Sequence, residues 1–229
     1  MTENRTVQQK SVRRNRLAAA ACFAASLITV GVVGAQSATA DPAAHSSAHN
    51  SVHRTAVAAS GFGSAALVQS QDFPKGLNPV GATVELTGRE GLSACSGEET
   101  MSDLTKGQAT GYASVTWTLD SKANLHELAA NAPTEAAAAT WEQQLVALVQ
   151  DCQDEPAGHW HYGEAHTLTA AGGTARWYLA HNGDGTVSGG VAVLRSGTRV
   201  ALVELNRQPT DASPYVEGIA TAALNRLSS

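Results

Sequence analysis

Between Pro133 and Cys152 the apolar positions Ala138, Trp141, Leu145, Leu148 and Cys152 recur at steps of three and four, while Thr140, Glu142, Gln143, Gln144, Gln150 and Asp151 fall on the other side. This stripe predicts an amphipathic helix. Thr134 is placed to cap its start, since a threonine hydroxyl can accept a bond from a free backbone N–H. Pro156 and Gly158 forbid its extension. A second stripe, Val216, Ile219, Ala220, Ala223, Leu224 and Leu227, predicts a helix over 214–227, with Ser213 as cap and Pro214 at the first helical position.

The other periodic stretches alternate. Ala113, Val115, Trp117 and Leu119 interleave with Tyr112, Ser114, Thr116 and Thr118, the mark of a strand with one buried face. Asp120-Ser121-Lys122 is the turn after it. Segment 123–130 fits a helix through Leu125, Leu128 and Ala129 and a strand through His126, Leu128 and Ala130; we read it as a strand. Trp160 to Leu168 is a strand of vague pattern, and Ala175, Trp177 and Leu179 line one face of the next. Asn182-Gly183-Asp184-Gly185 turns the chain. Val187, Gly189, Val191 and Val193 follow on alternate positions, Ser196-Gly197 turns it again, and Val200 to Leu205 is apolar on both faces, which predicts a central strand. Ser64 to Phe73 reads as a short helix or turn, and Leu77 to Thr100 is the least regular stretch. Short links between strands imply antiparallel pairing, and one-sided helices need a sheet to cover. The expected fold is α+β: an antiparallel sheet of about five to six strands with two main helices packed on one face, tied by one disulfide.

Composition changes the picture at the N-terminus. Arg13, Arg14 and Arg16 precede a mostly apolar run from Leu17 to Val33, and Ala38-Thr39-Ala40 offers a small-residue cleavage site. Residues 1–40 therefore read as a secretory signal peptide, with an uncleaved membrane anchor as the alternative. Residues 41–63, rich in Ala, Ser and His, read as a disordered tether, leaving 64–229 as one domain. Without residues 1–40 the chain goes from 15 basic and 20 acidic residues to 10 and 19, a net charge of −9. That acidity, with no basic cluster, argues against nucleic acid and anionic lipid as partners, and no stable membrane insertion is expected once the signal is removed. Cys95 and Cys152 are then the two cysteines left, and in an oxidising compartment an even pair reads as one disulfide.

Candidate chemistry centres on His159-Trp160-His161-Tyr162-Gly163-Glu164-Ala165-His166. On a strand His159 and His161 would share a face, an arrangement used by zinc and copper sites, with His166 or Glu164 as a third ligand. Strict alternation, however, sends Glu164 and His166 to the opposite face unless the strand bulges. Serine-hydrolase chemistry has weak support, because Gly63-Ser64-Ala65 lacks the second glycine of a nucleophile elbow and no G-x-S-x-G occurs. The acidic groups Glu98-Glu99 and Asp151 to Glu155 lack the spacing of a calcium loop, and no phosphate-binding glycine motif is present.

Ala66-Leu67-Val68 with Asp72-Phe73-Pro74, a loop carrying Cys95, the strand at Ala113, an alanine-rich helix closing on Cys152, a meander and a terminal helix follow one another over Ser64 to Ser229. In this order and spacing the chain resembles the extracellular sensor domain of mycobacterial PknH-type serine/threonine kinases, a domain found also in actinobacterial lipoproteins and secreted proteins. It departs from that pattern in lacking cysteines for a second disulfide, and in having Val149 where many members place a tryptophan. The resemblance favours strand over helix at 123–130. It implies a ligand- or partner-binding module and carries over no catalytic residues. With the export signal, the disulfide-tied α+β fold and the lack of a strong catalytic constellation, the leading reading is a secreted, non-enzymatic sensor-like domain, without cofactor, that binds an unknown small ligand or a cell-envelope protein through a cleft between sheet and helices. Two other readings stand beside it: a metal-binding protein or metal-dependent enzyme using His159, His161 and His166, and a secreted protein–protein module such as a protease inhibitor.

Overall fold

The computed structural model describes residues 62–92, 99–170, 172–208 and 212–229. Eight strands form one sheet: β1 (Pro79–Glu85), β2 (Gly111–Leu119), β3 (Asn124–Asn131), β4 (His161–Tyr162), β5 (His166–Ala170), β6 (Gly173–His181), β7 (Val187–Ser196) and β8 (Arg199–Asn206). Three helices accompany it: α1 (Met101–Leu104), α2 (Glu135–Asp151) and α3 (Ala212–Leu227). The strands lie in the order β1-β2-β3-β8-β7-β6-β4, and β5 shares with β4 the outer side of β6. Every pairing is antiparallel.

The sheet is wider than expected from the sequence, for two physical reasons. β1 lies in the least regular stretch of the sequence; its positions after Pro79 are all exposed, so no buried face imprints an alternation on them. The single strand expected over Trp160 to Leu168 is two, β4 and β5, separated at Gly163. There the backbone N–H of Gly163 donates to Leu179 O at 2.8 Å, and a side chain on Gly163 would run into the His181 ring. Segment 123–130 is a strand, as read.

The two long helices do not share a face, which corrects the expected layering. Val191, Val193, Val200 and Leu202 pack with Ala138, Trp141, Leu145 and Val149 of α2. Their chain neighbours Ala192, Leu194, Ala201 and Val203 pack with Val216, Ile219, Ala220 and Leu224 of α3. Strands β7 and β8 are apolar on both sides, and a sheet whose central strands bury both faces needs a cover on each. The result is three layers, α2 and α1 on one face and α3 on the other.

Helix α2 starts as expected, with the Ala137 N–H donating to Thr134 Oγ1 at 3.1 Å. Its inner stripe leans toward Val146 and Val149, leaving Leu148 half-buried. Glu142 reaches the sheet through Arg195 Nε at 2.6 Å. Helix α3 begins at Ala212, so Ser213 and Pro214 lie inside its first turn and Ser213 is not the cap. Proline is tolerated there because first-turn N–H groups have no partner within the helix. Phe62 is buried in the α3-side core, under the Arg199 guanidinium. Cys152 is buried at the C-cap of α2. Cys95, the proposed signal peptide 1–40 and the tether through Gly61 lie outside the described residues.

A polar pocket at the ends of the central strands

The start of β3, the end of β8, the start of β7 and the end of β6 converge at one end of the sheet, because the four strands are antiparallel neighbours. On the α2 face this end lies beyond the helix, and a pocket of about 490 Å³ opens there. Asn124, Glu204 and Asn206 rise from its floor; Ser188, Asn182, Arg207 and the Trp160 ring complete its lining. The sequence reading expected a cleft between sheet and helices, but that interface is filled by the core side chains named above.

The wall carrying Trp160 is built by the segment that leaves α2. The Tyr162 N–H donates to Cys152 O at 3.3 Å, and the Gln153 side chain donates to Gly163 O, so the strand returns against the helix end it came from. Trp160 meets Tyr162 edge to face at 4.8 Å, and its indole N–H donates to Ser188 Oγ at 3.3 Å. The β6–β7 turn braces the same segment: Gly183 lies so close to Gly158 that a Cβ there would collide with the Gly158 carbonyl. Gly189, at φ +134°, lies where the β6 register shifts, and a side chain there would strike Leu205 O. This glycine lets β7 lie flat against the end of β8, beside the pocket.

Glu204 is the pocket's buried acid. It is 5% exposed, and Tyr162 donates its hydroxyl to Oε1 at 3.0 Å. Burial raises the Glu204 carboxyl above its ordinary range, while hydrogen bonds with the Tyr162 and Asn206 side chains oppose that rise. Burial likewise raises the Tyr162 phenol, reinforced by the Glu204 charge, so the hydroxyl stays a donor. Directly across the register from Glu204 is His126, whose burial lowers its tendency to protonate. Two oxygens in this part of the fold, Asn124 Oδ1 and Gln208 Oε1, are buried without a hydrogen-bond partner. Gln208 is joined to the pocket wall through its N–H, which donates to Ser188 O at 3.2 Å.

A second buried carboxyl, Glu127, lies on the opposite face. It is 0% exposed beneath the segment 62–73 and accepts the Val68 N–H at 2.7 Å through Oε2, while Oε1 has no partner. The Val68 carbonyl in turn accepts the Trp117 indole N–H at 3.2 Å, and Asp72 of the same segment holds Arg226 of α3 through bonds of 2.7 and 3.0 Å. Burial above all, and then the Asp72 charge, push the Glu127 carboxyl up to about 8 against the Val68 bond and the Arg226 charge.

The three histidines considered for metal go to different partners. His159 is exposed and faces Glu155 at 3.6 Å. His161 stacks on its cross-strand neighbour His181, ring centres 5.5 Å apart, and its Nδ1 lies 3.1 Å from the carbonyl of His159 rather than beside its imidazole. His166 stacks on Trp177 at 4.1 Å. Among the described residues no group of three His, Cys, Asp or Glu side chains is placed to hold a metal ion. Sequence reasoning missed Glu204, whose one signal is to be a single acid inside the otherwise apolar run Val200 to Leu205.

No family model and no curated protein matches the chain. Among solved structures the chain is similar to the extracellular domain of PknH from Mycobacterium tuberculosis, at 13% identity and a TM-score of 0.47, over 72% of this chain and 93% of that one. This is the kind of domain that the sequence resembles, and a likeness of this strength says nothing about ligand or partner.

Proposed function

We propose that this is an exported, sensor-like binding module, without catalytic activity of its own, that takes a small polar ligand into the pocket at the ends of β3, β8, β7 and β6. The observation that carries this reading is the convergence of a buried carboxyl, three asparagines and an indole ring on one concavity. Polar groups gathered in a recess with one aromatic wall are what recognition of a small polar molecule needs. The reading as a binder rather than an enzyme is supported by the state of Ser188. Its hydroxyl accepts from Trp160 and donates to Ala180 O at 3.5 Å, so its proton goes to a carbonyl and not to a base. The Cys95–Cys152 link belongs to this proposal as a brace, since Cys152 O holds the strand that carries Tyr162.

The test is to label the indole nitrogen of tryptophan in the exported domain and follow the Trp160 resonance while a library of small polar metabolites is added. Binding at this site should move the Trp160 signal saturably and leave Trp117, on the other face, in place. Ser188→Trp, which fills the recess, should abolish the response. Ligands that move only resonances far from this end of the sheet would refute the assignment.

A further inference from the structure

We propose that the ligand of this pocket carries an ammonium group, which Glu204 receives beside the Trp160 ring. This inference rests on the binding reading above and adds the chemical class. Glu204 is 95% buried by side-chain and backbone together, yet both of its hydrogen-bonding side chains, Tyr162 and Asn206, are neutral. Among the described residues no cation lies within ion-pair distance of it: the pairs present are Arg195 with Glu142, Arg226 with Asp72 and His159 with Glu155. His126, across the register, is held towards its neutral form by burial. A carboxylate taken out of water without a cation is costly, and an incoming cation removes that cost.

One amide of the lining lacks a donor in the same way. Asn124, paired in register with Asn206, has a buried carbonyl oxygen with nothing donating to it. An ammonium has three donors and no acceptor, which suits a carboxylate and an amide oxygen presented together. Trp160 has already given its N–H to Ser188, so what it offers a ligand is the ring, and an aromatic face attracts an organic cation. The acid excess of the chain adds long-range attraction of the same sign. Arg207, exposed in the lining with a left-handed backbone at φ +60°, supplies one guanidinium for an anionic group. An ammonium and a carboxylate on one small molecule would meet both, so a free amino acid fits better than a plain amine.

The test uses the exported domain, residues 41–229, titrated with L-alanine, ethylamine, propionate, glucose and calcium chloride while the Trp160 indole signal and the heat of binding are recorded. The expected order is L-alanine first, ethylamine weaker, and no response to the other three. Glu204→Gln, which keeps an acceptor for Tyr162, should weaken L-alanine at least about tenfold, the usual scale for losing one charge-assisted bond. Arg207→Ala should narrow the gap between L-alanine and ethylamine. Equal binding of propionate or glucose, binding of calcium in place of the amines, or amine binding indifferent to Glu204→Gln would each overturn the ammonium inference and leave the pocket reading standing. Silence of Trp160 towards every compound in this panel overturns the ammonium inference alone. Silence across the wider metabolite library as well overturns both.

Discussion

Glu127 and Glu204 stand on adjacent strands, β3 and β8, at neighbouring register positions, and point to opposite faces of one sheet. Both are buried acids with neutral hydrogen-bond partners. What separates them is access. Glu127 is sealed by the segment 62–73, which donates one backbone N–H to it and is itself fastened by Trp117 and by the Asp72–Arg226 pair. Glu204 faces a pocket that no helix covers. A buried charge is therefore a poor guide to a binding site until the path to solvent is known. On one face the same residue type is a stability liability, and on the other it is the acid that we propose as the receiving group for a ligand.

The largest expected effect tests the wall on the Glu204 side. If Cys152 pairs with Cys95 and braces the strand of Tyr162, Cys152→Ser should lower unfolding free energy by about 4 kcal/mol, the scale for closing a loop of that length. Urea titration checks it, and an unchanged midpoint would remove the brace from the account.

Next in size is the pH dependence of the sealed acid. An acid raised to about 8 in the folded state binds more protons folded than unfolded across the interval above its ordinary value of 4.5. Its contribution to stability is thus present below pH 4.5 and is lost as pH rises through 8. Between pH 5 and pH 8 the loss should be on the order of 3 kcal/mol, and Glu127→Gln should flatten it while keeping an acceptor for Val68. Unfolding curves at four pH values across this range decide the matter; equal slopes in both proteins would show that Glu127 is not the source.

The smallest effect is expected at the open acid. Glu204→Gln preserves the Tyr162 bond in shape and removes an unpaired charge, so any loss of stability at neutral pH should stay below about 1 kcal/mol. A thermal melt showing a collapse comparable to Cys152→Ser would mean that Glu204 is structural and would erase the contrast between the two faces.

The elements at the heart of the fold were legible because burial had imprinted them. The stripes of α2 and α3 and the alternation of β2 could be read directly, and so could the two-sided run of β8. Glu127 and Glu204 were hidden by the same logic. In 123–130 the alternating set His126, Leu128 and Ala130 drew attention to one face, while Glu127 sat between Leu125 and Ala129 on the other. In Val200 to Leu205 the apolar majority made the single acid look incidental. A pocket at strand ends is assembled from residues some eighty positions apart, Asn124 and Asn206 among them, and no local period records their meeting. The histidine cluster was conspicuous for the opposite reason: its residues are close in the chain, but each stacks on or pairs with something else.

The two borders of the sheet are unequal. One is shared by two short strands, β4 of two residues and β5 of five, with a break between them. The other is the unbroken seven-residue β1, with Val80, Val84 and the adjoining Leu86 exposed by 66, 45 and 42%. A further strand would therefore be recruited preferentially at β1, the longer border strand among the described residues, where apolar side chains lie exposed. Two molecules joined there about a two-fold axis would each present outward only the broken border, so growth would stop at a pair instead of running on as a filament.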